Sequence, residues 1–441
     1  MLYRYTVSNF MTYKETVELS MIPSVNNIEG HLIDKDFFPV LKTAIIYGAN
    51  ASGKSSLIKS MDFARSYILD NSTLSPLLNY SYRLDKEKQN QESVFSFEIK
   101  TGREIYQYGF SVIFNKAMVQ EEWLYELTKE ICIFHRERTE DGISLKEHLK
   151  NMSAEELSRL RIYEEDQASS DHSLLITKLG SISYGKGMFW DSCKEVFTWF
   201  KRLTIFFPNT KFNLLSAVYG NEKEVNILYK EYFKIFGIDI DNIHLKEVPI
   251  EYLTVNPEFL SEINKSLLDK KNEGTKGMLN INGKEYLFEI NDEDRLTAKE
   301  VKFRHRVNDY TAEFSKDEES DGTQRLFDLI PPYARVILSG GVLIVDEIDR
   351  NLHSLLTTMI FRNFLSSEGE QNRQLICTTH DVKMINLSLL RPDEIWFINR
   401  NRNEASSLYP LAKYRVEYPD NAEINYLNGM YQGIPDFNFN E

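Results

Sequence analysis

The chain has 441 residues, 42% hydrophobic and 27% charged, and its 52 Lys and Arg against 66 Asp and Glu leave a net charge of −14. That length supports two or three structural units, and the acidic balance argues against a surface built for non-specific nucleic-acid binding, though a local basic groove stays open. No apolar run approaches 18 residues, the first seven residues lack a signal-peptide core, and Cys132, Cys193 and Cys377 stand apart, so a cytoplasmic protein with no membrane span, zinc site or disulfide framework is expected.

The chain opens on a strand, Met1 to Val7, and the alternating stretch Thr16 to Met21 is expected to pair with it. Ala44-Ile45-Ile46-Tyr47 is a short apolar run of the kind buried on both faces of a parallel sheet. It leads into Gly48-Ala49-Asn50-Ala51-Ser52-Gly53-Lys54-Ser55, which fits G-x-x-x-x-G-K-[ST] at every fixed position, with Ser56 next. Such a loop turns backbone N–H groups onto phosphate oxygens, and the helix after it adds its positive end. Lys54 would reach the β- and γ-phosphates, and Ser55 would offer its hydroxyl to Mg2+. Leu57, Met61, Ala64 and Ile68 then recur at helical spacing, and Asp70-Asn71-Ser72 ends the pattern.

Phe95, Phe97 and Ile99 alternate with polar residues, Thr101-Gly102 marks a hairpin turn, and Ile105 to Phe114 and Val119 to Tyr125 resume as strands. Charged helical stretches are expected from Ser144 to Arg161, with Ser153 as N-cap, and from Asn221 to Phe236. Arg136, Arg138, Lys146 and Lys150 read as a solvated face rather than an anion site, and Asp239-Ile240-Asp241 as an ordinary loop rather than a metal site. Met278 to Ile290 is expected to be a hairpin turning at Asn282-Gly283, with more strand from Val301 to Phe314.

Glu319-Ser320-Asp321-Gly322-Thr323-Gln324-Arg325 opens an apolar helix, with Ser320 at the N-cap. Val342-Leu343-Ile344-Val345 is a buried strand with Asp346 and Glu347 at its C-terminal edge, where open α/β sheets bind ligands. The first acid suits the Mg2+ shell and the second suits a water proton. Gln374 to Thr379 is a further buried strand ending in His380, placed to hydrogen-bond a γ-phosphate or a water. His353 either caps a helix or lines a subunit contact.

In this order, Asn9-Phe10, Gly48 to Ser55, Ser320 to Thr323, Asp346-Glu347 and His380 resemble the head domain of ATP-binding-cassette proteins. The chain is more closely similar to RecF/SMC-like and OLD-like AAA-family ATPases of prokaryotes, including the RloA- and AriA-type ATPases of anti-phage systems. Asp346 to His353 and Tyr426 to Pro435 carry that likeness further. It implies an α/β fold: a P-loop ABC-type ATPase head, a mixed β-sheet with flanking helices, carrying an inserted and mainly helical domain. The expected lobes are residues 1–120 and 301–441, with the insert at 121–300.

The resemblance also implies ATP and Mg2+ as cofactors. Lys54 would contact phosphate together with Gly48, Asn50, Ala51, Ser52, Gly53, Ser55 and Ser56. Ser55 and Asp346 would serve the metal, Glu347 would polarise water, and His380 would be the switch histidine. Ser320 and Gly322 would act in trans across the ATP-bridged heads of a homodimer or higher homo-oligomer, with Asp349 in the loop that crosses the interface. Glu319 and Asp321 stand where transporters of this class carry a leucine and a glycine, which favours the non-transporter branch. Gln107 and Gln120 are the candidates for the glutamine that contacts Mg2+. The implied activity is ATP hydrolysis that controls a separate effector, a Toprim nuclease or a toxin, in defence against phage. The alternatives are a DNA-repair ATPase that binds nucleic acid and an OLD-like nuclease-associated scaffold with little turnover.

Overall fold

The alternating N-terminus builds an antiparallel sheet. In the computed structural model β1 (Leu2–Ser8) pairs with β2 (Val17–Ser20), Tyr5 opposite Leu19 and Val7 opposite Val17. The structure describes residues 1–434 except 26–27, 29, 34–37, 71–78, 140–141, 148–157, 159–171, 182–186, 212–221, 270–275, 282–283, 292, 368–371, 401–404 and 415–420. The chain divides into two compact units, the first formed by Met1–Pro208, Val336–Ile348 and Leu365–Glu441.

In that first unit, β3 (Leu32–Ile33) and β4 (Val40–Leu41) form a small ribbon, and β5 (Thr43–Gly48) leads to α1 (Lys54–Leu69). Then come β6 (Ser93–Thr101), β7 (Glu104–Ile113), β8 (Met118–Glu126), β9 (Ile131–Thr139) and β10 (Gly142–Glu147). Together with β1 and β2 they make one antiparallel sheet in the order β10-β9-β8-β7-β6-β1-β2. Helices α2 (Leu175–Ser181) and α3 (Met188–Arg202) follow, then β11 (Thr204–Phe206). Phe200 of α3 meets Phe97 of β6 edge-on at 5.0 Å, so the helix packs on the buried face that the alternation of β6 creates.

A second sheet holds the apolar runs. It is ordered β11-β17-β18-β5-β19-β20, with β17 (Gly341–Val345), β18 (Arg373–Thr378), β19 (Ile395–Asn399) and β20 (Ser407–Pro410). All its pairings are parallel except β19 with β20. All six residues of β5 and of β18 are buried, which is why neither alternates. Leu57, Ile58, Met61, Ala64 and Ile68 turn one face of α1 into the core. Each large aliphatic side chain there contributes roughly 1.5–3 kcal/mol. A buried amide ties the two sheets together. Gln374 accepts the Leu2 N–H at 2.6 Å and donates to the Leu2 and Leu41 carbonyls at 2.9 and 3.1 Å.

The second unit comprises Asn209–Arg335 and Asp349–Phe364. It contains α4 (Glu222–Ile235), β12 (Asn242–Val248), α5 (Pro257–Leu268), β13 (Gly277–Ile281), β14 (Lys284–Ile290), β15 (Leu296–Val307) and β16 (Tyr310–Ser315). Most of α6 (Asp321–Ser339) and α7 (Ser354–Ser366) lies here too; α8 (Ala422–Leu427) belongs to the first unit. The aromatic ring of Tyr229 stacks on Phe327 at 4.7 Å, and its hydroxyl donates to the Phe327 carbonyl, which anchors α4 on α6.

The region from 121 to 300 carries more strand than its charge pattern suggested. Residues 144–147, expected to open a helix, belong to β10, in whose sequence Ile143 and Leu145 alternate with polar residues. The proposed cap Ser153, Lys150, residues 71–72, the Asn282-Gly283 turn and Pro435 lie outside the described residues. Arg136 is not on a solvated face: it is buried, 3.8 Å from the Glu122 carboxylate, and donates to the Ser173 carbonyl. Asp241 pairs with Arg304 and Arg306, in keeping with a loop rather than a metal ligand.

Candidate functional site

The phosphate loop is set by its glycines and by hydroxyls from distant segments. A Cβ on Gly48 would lie 2.5 Å from Ser52 Oγ and 2.6 Å from the Ile398 carbonyl. Gly53 has φ +121°, and a Cβ there would fall 2.6 Å from Thr12 Oγ1 and 2.9 Å from Ser406 Oγ. The Tyr13 hydroxyl donates to the Gly53 carbonyl at 2.9 Å, and Ser406 Oγ donates to the Ser52 carbonyl at 2.5 Å. Burial keeps the Tyr13 phenol protonated far above its usual range, with a smaller contribution from Tyr5, so it stays a donor. Asn50 and Ala51 are exposed at the loop tip, Ala51 with φ 59°. Ser52 is buried.

Helix α1 starts with no side-chain cap and no acidic residue in its first turn. Its first N–H groups have no acceptor within the helix, and no carboxylate of its own first turn offsets their positive end. Lys54 is buried and donates to the Gly48 and Ala49 carbonyls at 2.5 and 3.0 Å, which holds its ammonium against the loop. Ser55 and Ser56 occupy the first turn. This donor set fits a polyphosphate.

Strand register brings the paired acids to the same edge. Val345 aligns with Cys377 and Cys377 with Ile45, so Asp346 follows at the C-terminal edge of the sheet, where β18 ends at Thr378 and β5 runs on to Gly48. One strand separates β17 from β5, which puts register-matched positions such as Val345 and Ile45 about 10 Å apart. Asp346 is buried, its N–H donating to the Phe206 carbonyl and its Oδ1 accepting from Thr378 Oγ1 at 2.6 Å. Glu347 leaves the strand with φ 51°. For a non-glycine residue that costs about 1–3 kcal/mol, and such strain gathers at functional positions. His380 is exposed just past β18, while the preceding Thr379 N–H is held by the Ile46 carbonyl at 3.1 Å. Ser55 and Asp346 carry hard oxygens of the kind that Mg2+ takes alongside phosphate. Among the described residues no group of three or more His, Cys, Asp or Glu is arranged to hold a metal. A metal here would therefore rest on this hydroxyl, this carboxylate and a bound phosphate.

Ser320, Gly322 and Asp349 belong to the second unit. The Ser320 hydroxyl accepts the Thr323 N–H at 3.2 Å and caps α6. A Cβ on Gly322 would lie 2.9 Å from the Asn351 carbonyl, so the start of α6 packs on the loop that begins at Asp349. The His353 ring accepts the Leu355 N–H, a helix-capping role. Gln107 and Gln120 lie within β7 and β8, and the Gln120 amide donates to the Arg138 carbonyl. Sequence reasoning missed Tyr13, Ser406 and Thr378. Only Thr378, a polar residue on a buried strand, carried a signal.

A parallel sheet whose phosphate loop and acidic strand end share one edge, with a strand between them, defines an α/β P-loop protein. The chain belongs to the family described as "AAA domain, putative AbiEii toxin, Type IV TA system", whose model matches residues 44–386. None of the curated proteins matches it. Among solved structures it is similar to the SMC head bound to the C-winged helix domain of ScpA, at 13% identity and TM-score 0.40 over 93% of this chain and 97% of that one. It is also similar to the SMC head domain from Thermotoga maritima, at 12% identity and TM-score 0.39 over 94% and 99%. Among the described residues no helix is long and apolar enough to cross a membrane.

Proposed function

We propose that this protein binds ATP with Mg2+ and hydrolyses it. The observation that carries the reading is the shared edge, where an uncapped helix start with Lys54 and the Asp346-Glu347 pair end two strands apart. The loop N–H groups and Lys54 bind and orient the triphosphate, and Ser55 and Asp346 hold the metal. Bound Mg2+ supplies charge neutralisation on the phosphates. Glu347 takes the proton of the attacking water, and His380 donates to the transferring phosphoryl group. Glu347→Gln keeps ATP binding and lowers turnover by about 100-fold or more. Wild-type turnover in that variant, measured by phosphate release, would remove Glu347 from the role.

The active species in this reading is a homodimer in which Ser320 and Gly322 of one copy complete the site of the other, with Asp349 at the crossing. The packing of Gly322 on the loop from Asp349 supports one composite face for both motifs. The same reading makes the ATPase a regulator of a separate effector in defence against phage. Membership of a family described by a toxin of a type IV toxin–antitoxin system supports that over a repair role.

A further inference from the structure

We infer that Thr378 is a positioning residue of this site: its one hydroxyl holds both the Asp346 carboxylate and the Glu347 backbone. The inference rests on the hydrolytic reading above. Thr378 is fully buried at the end of β18, the strand between the phosphate-loop strand and the acidic strand. Its Oγ1 is 2.8 Å from the Glu347 nitrogen and 2.6 Å from Asp346 Oδ1.

The direction of each bond follows from chemistry. A backbone N–H can only donate, so Oγ1 accepts from Glu347. The hydroxyl has a single proton, and that proton goes to Asp346. The Thr378 carbonyl also accepts the Ile348 N–H at 3.0 Å. Three consecutive residues of the acidic edge are therefore registered on one residue of the neighbouring strand.

A buried threonine commonly settles its hydroxyl on a carbonyl of its own segment. Here the hydroxyl crosses to the next strand, where Glu347 departs from extended backbone at φ 51°. The carboxylate that would face the metal and the peptide that would aim the base thus share one tether. Moving either moves the other. Valine has the same shape and neither hydrogen bond, whereas serine keeps both.

The test uses the full chain as wild type, Thr378→Val, Thr378→Ala and Thr378→Ser. The Val and Ala variants should lose about 10- to 100-fold in kcat, with KM for ATP within about twofold of wild type. Thr378→Ser should stay within about threefold in kcat. A second readout is independent of turnover. A fluorescent ATP analogue should bind all four proteins alike in EDTA, while the affinity gained on adding Mg2+ shrinks about tenfold in Val and Ala. A purely structural role would lower the urea midpoint and leave kcat and the Mg2+ response unmoved, which overturns the inference. If the Val variant does not fold, the Ala and Ser pair is read the same way. If the wild type binds but does not turn over, the hydrolytic reading falls, and the Mg2+ response of binding still decides this one.

Discussion

At the residue scale, the loop depends on positions where no side chain is admissible. Gly53→Ala would place a methyl 2.6 Å from Thr12 Oγ1 at φ +121°. Nucleotide binding should be lost in a filter-binding assay, and the urea midpoint should correspond to about 1–3 kcal/mol less stability. Glu122 offers a test by pH. Burial raises its carboxyl pKa above the ordinary value, against the lowering influence of Arg136, of the Ile176 and Leu175 N–H groups and of the Tyr108 hydroxyl. The folded state then holds that proton more tightly than the unfolded chain. Its contribution is full below the unfolded value near 4.5 and is lost as pH rises through the raised folded value. Wild type should therefore lose stability against Glu122→Gln over that window, read from urea midpoints at successive pH values. A difference that is flat with pH would contradict it.

At the element scale, the main strands were legible because burial on both faces and burial on one leave different patterns. The six buried residues of β5 and the alternation of β6 both stand in the sequence. The charged stretch from Ser144 misled because a short strand and a helix end can share composition, and pairing with β9 decides between them. Gln374 was unreadable for another reason. Its three hydrogen bonds reach Leu2 and Leu41, more than 300 positions away in sequence. Gln374→Leu removes all three and leaves buried backbone groups without those partners. It should cost about 1–3 kcal/mol in a urea titration, and no loss would show that the sheets are held together by packing alone.

At the scale of the whole molecule, the motifs are divided between units. The phosphate loop, paired acids and His380 are in the first, and Ser320, Gly322 and Asp349 are in the second. An arrangement that completes each site in trans can be tested by complementation. Lys54→Ala and Ser320→Glu should each be inactive alone, because each damages both sites of its own dimer. Mixed and reassorted, half the dimers carry both variants, and each of these has one intact site. ATPase activity should then return to about a quarter of wild type. An inactive mixture would leave each chain working alone.

The chain's own order of residues determined where phosphate-binding and acidic chemistry could lie. Gly48, Gly53, Lys54, Ser55, Asp346 and Glu347 are local signals, fixed by spacing and by the apolar runs beside them. Tertiary structure alone decided that β18 comes between the two strands, that Tyr13 and Ser406 grip the loop, and that Thr378 joins the two acids. Those contacts link residues brought together by strand order and register, and no local period in a sequence encodes which strand lies next to which.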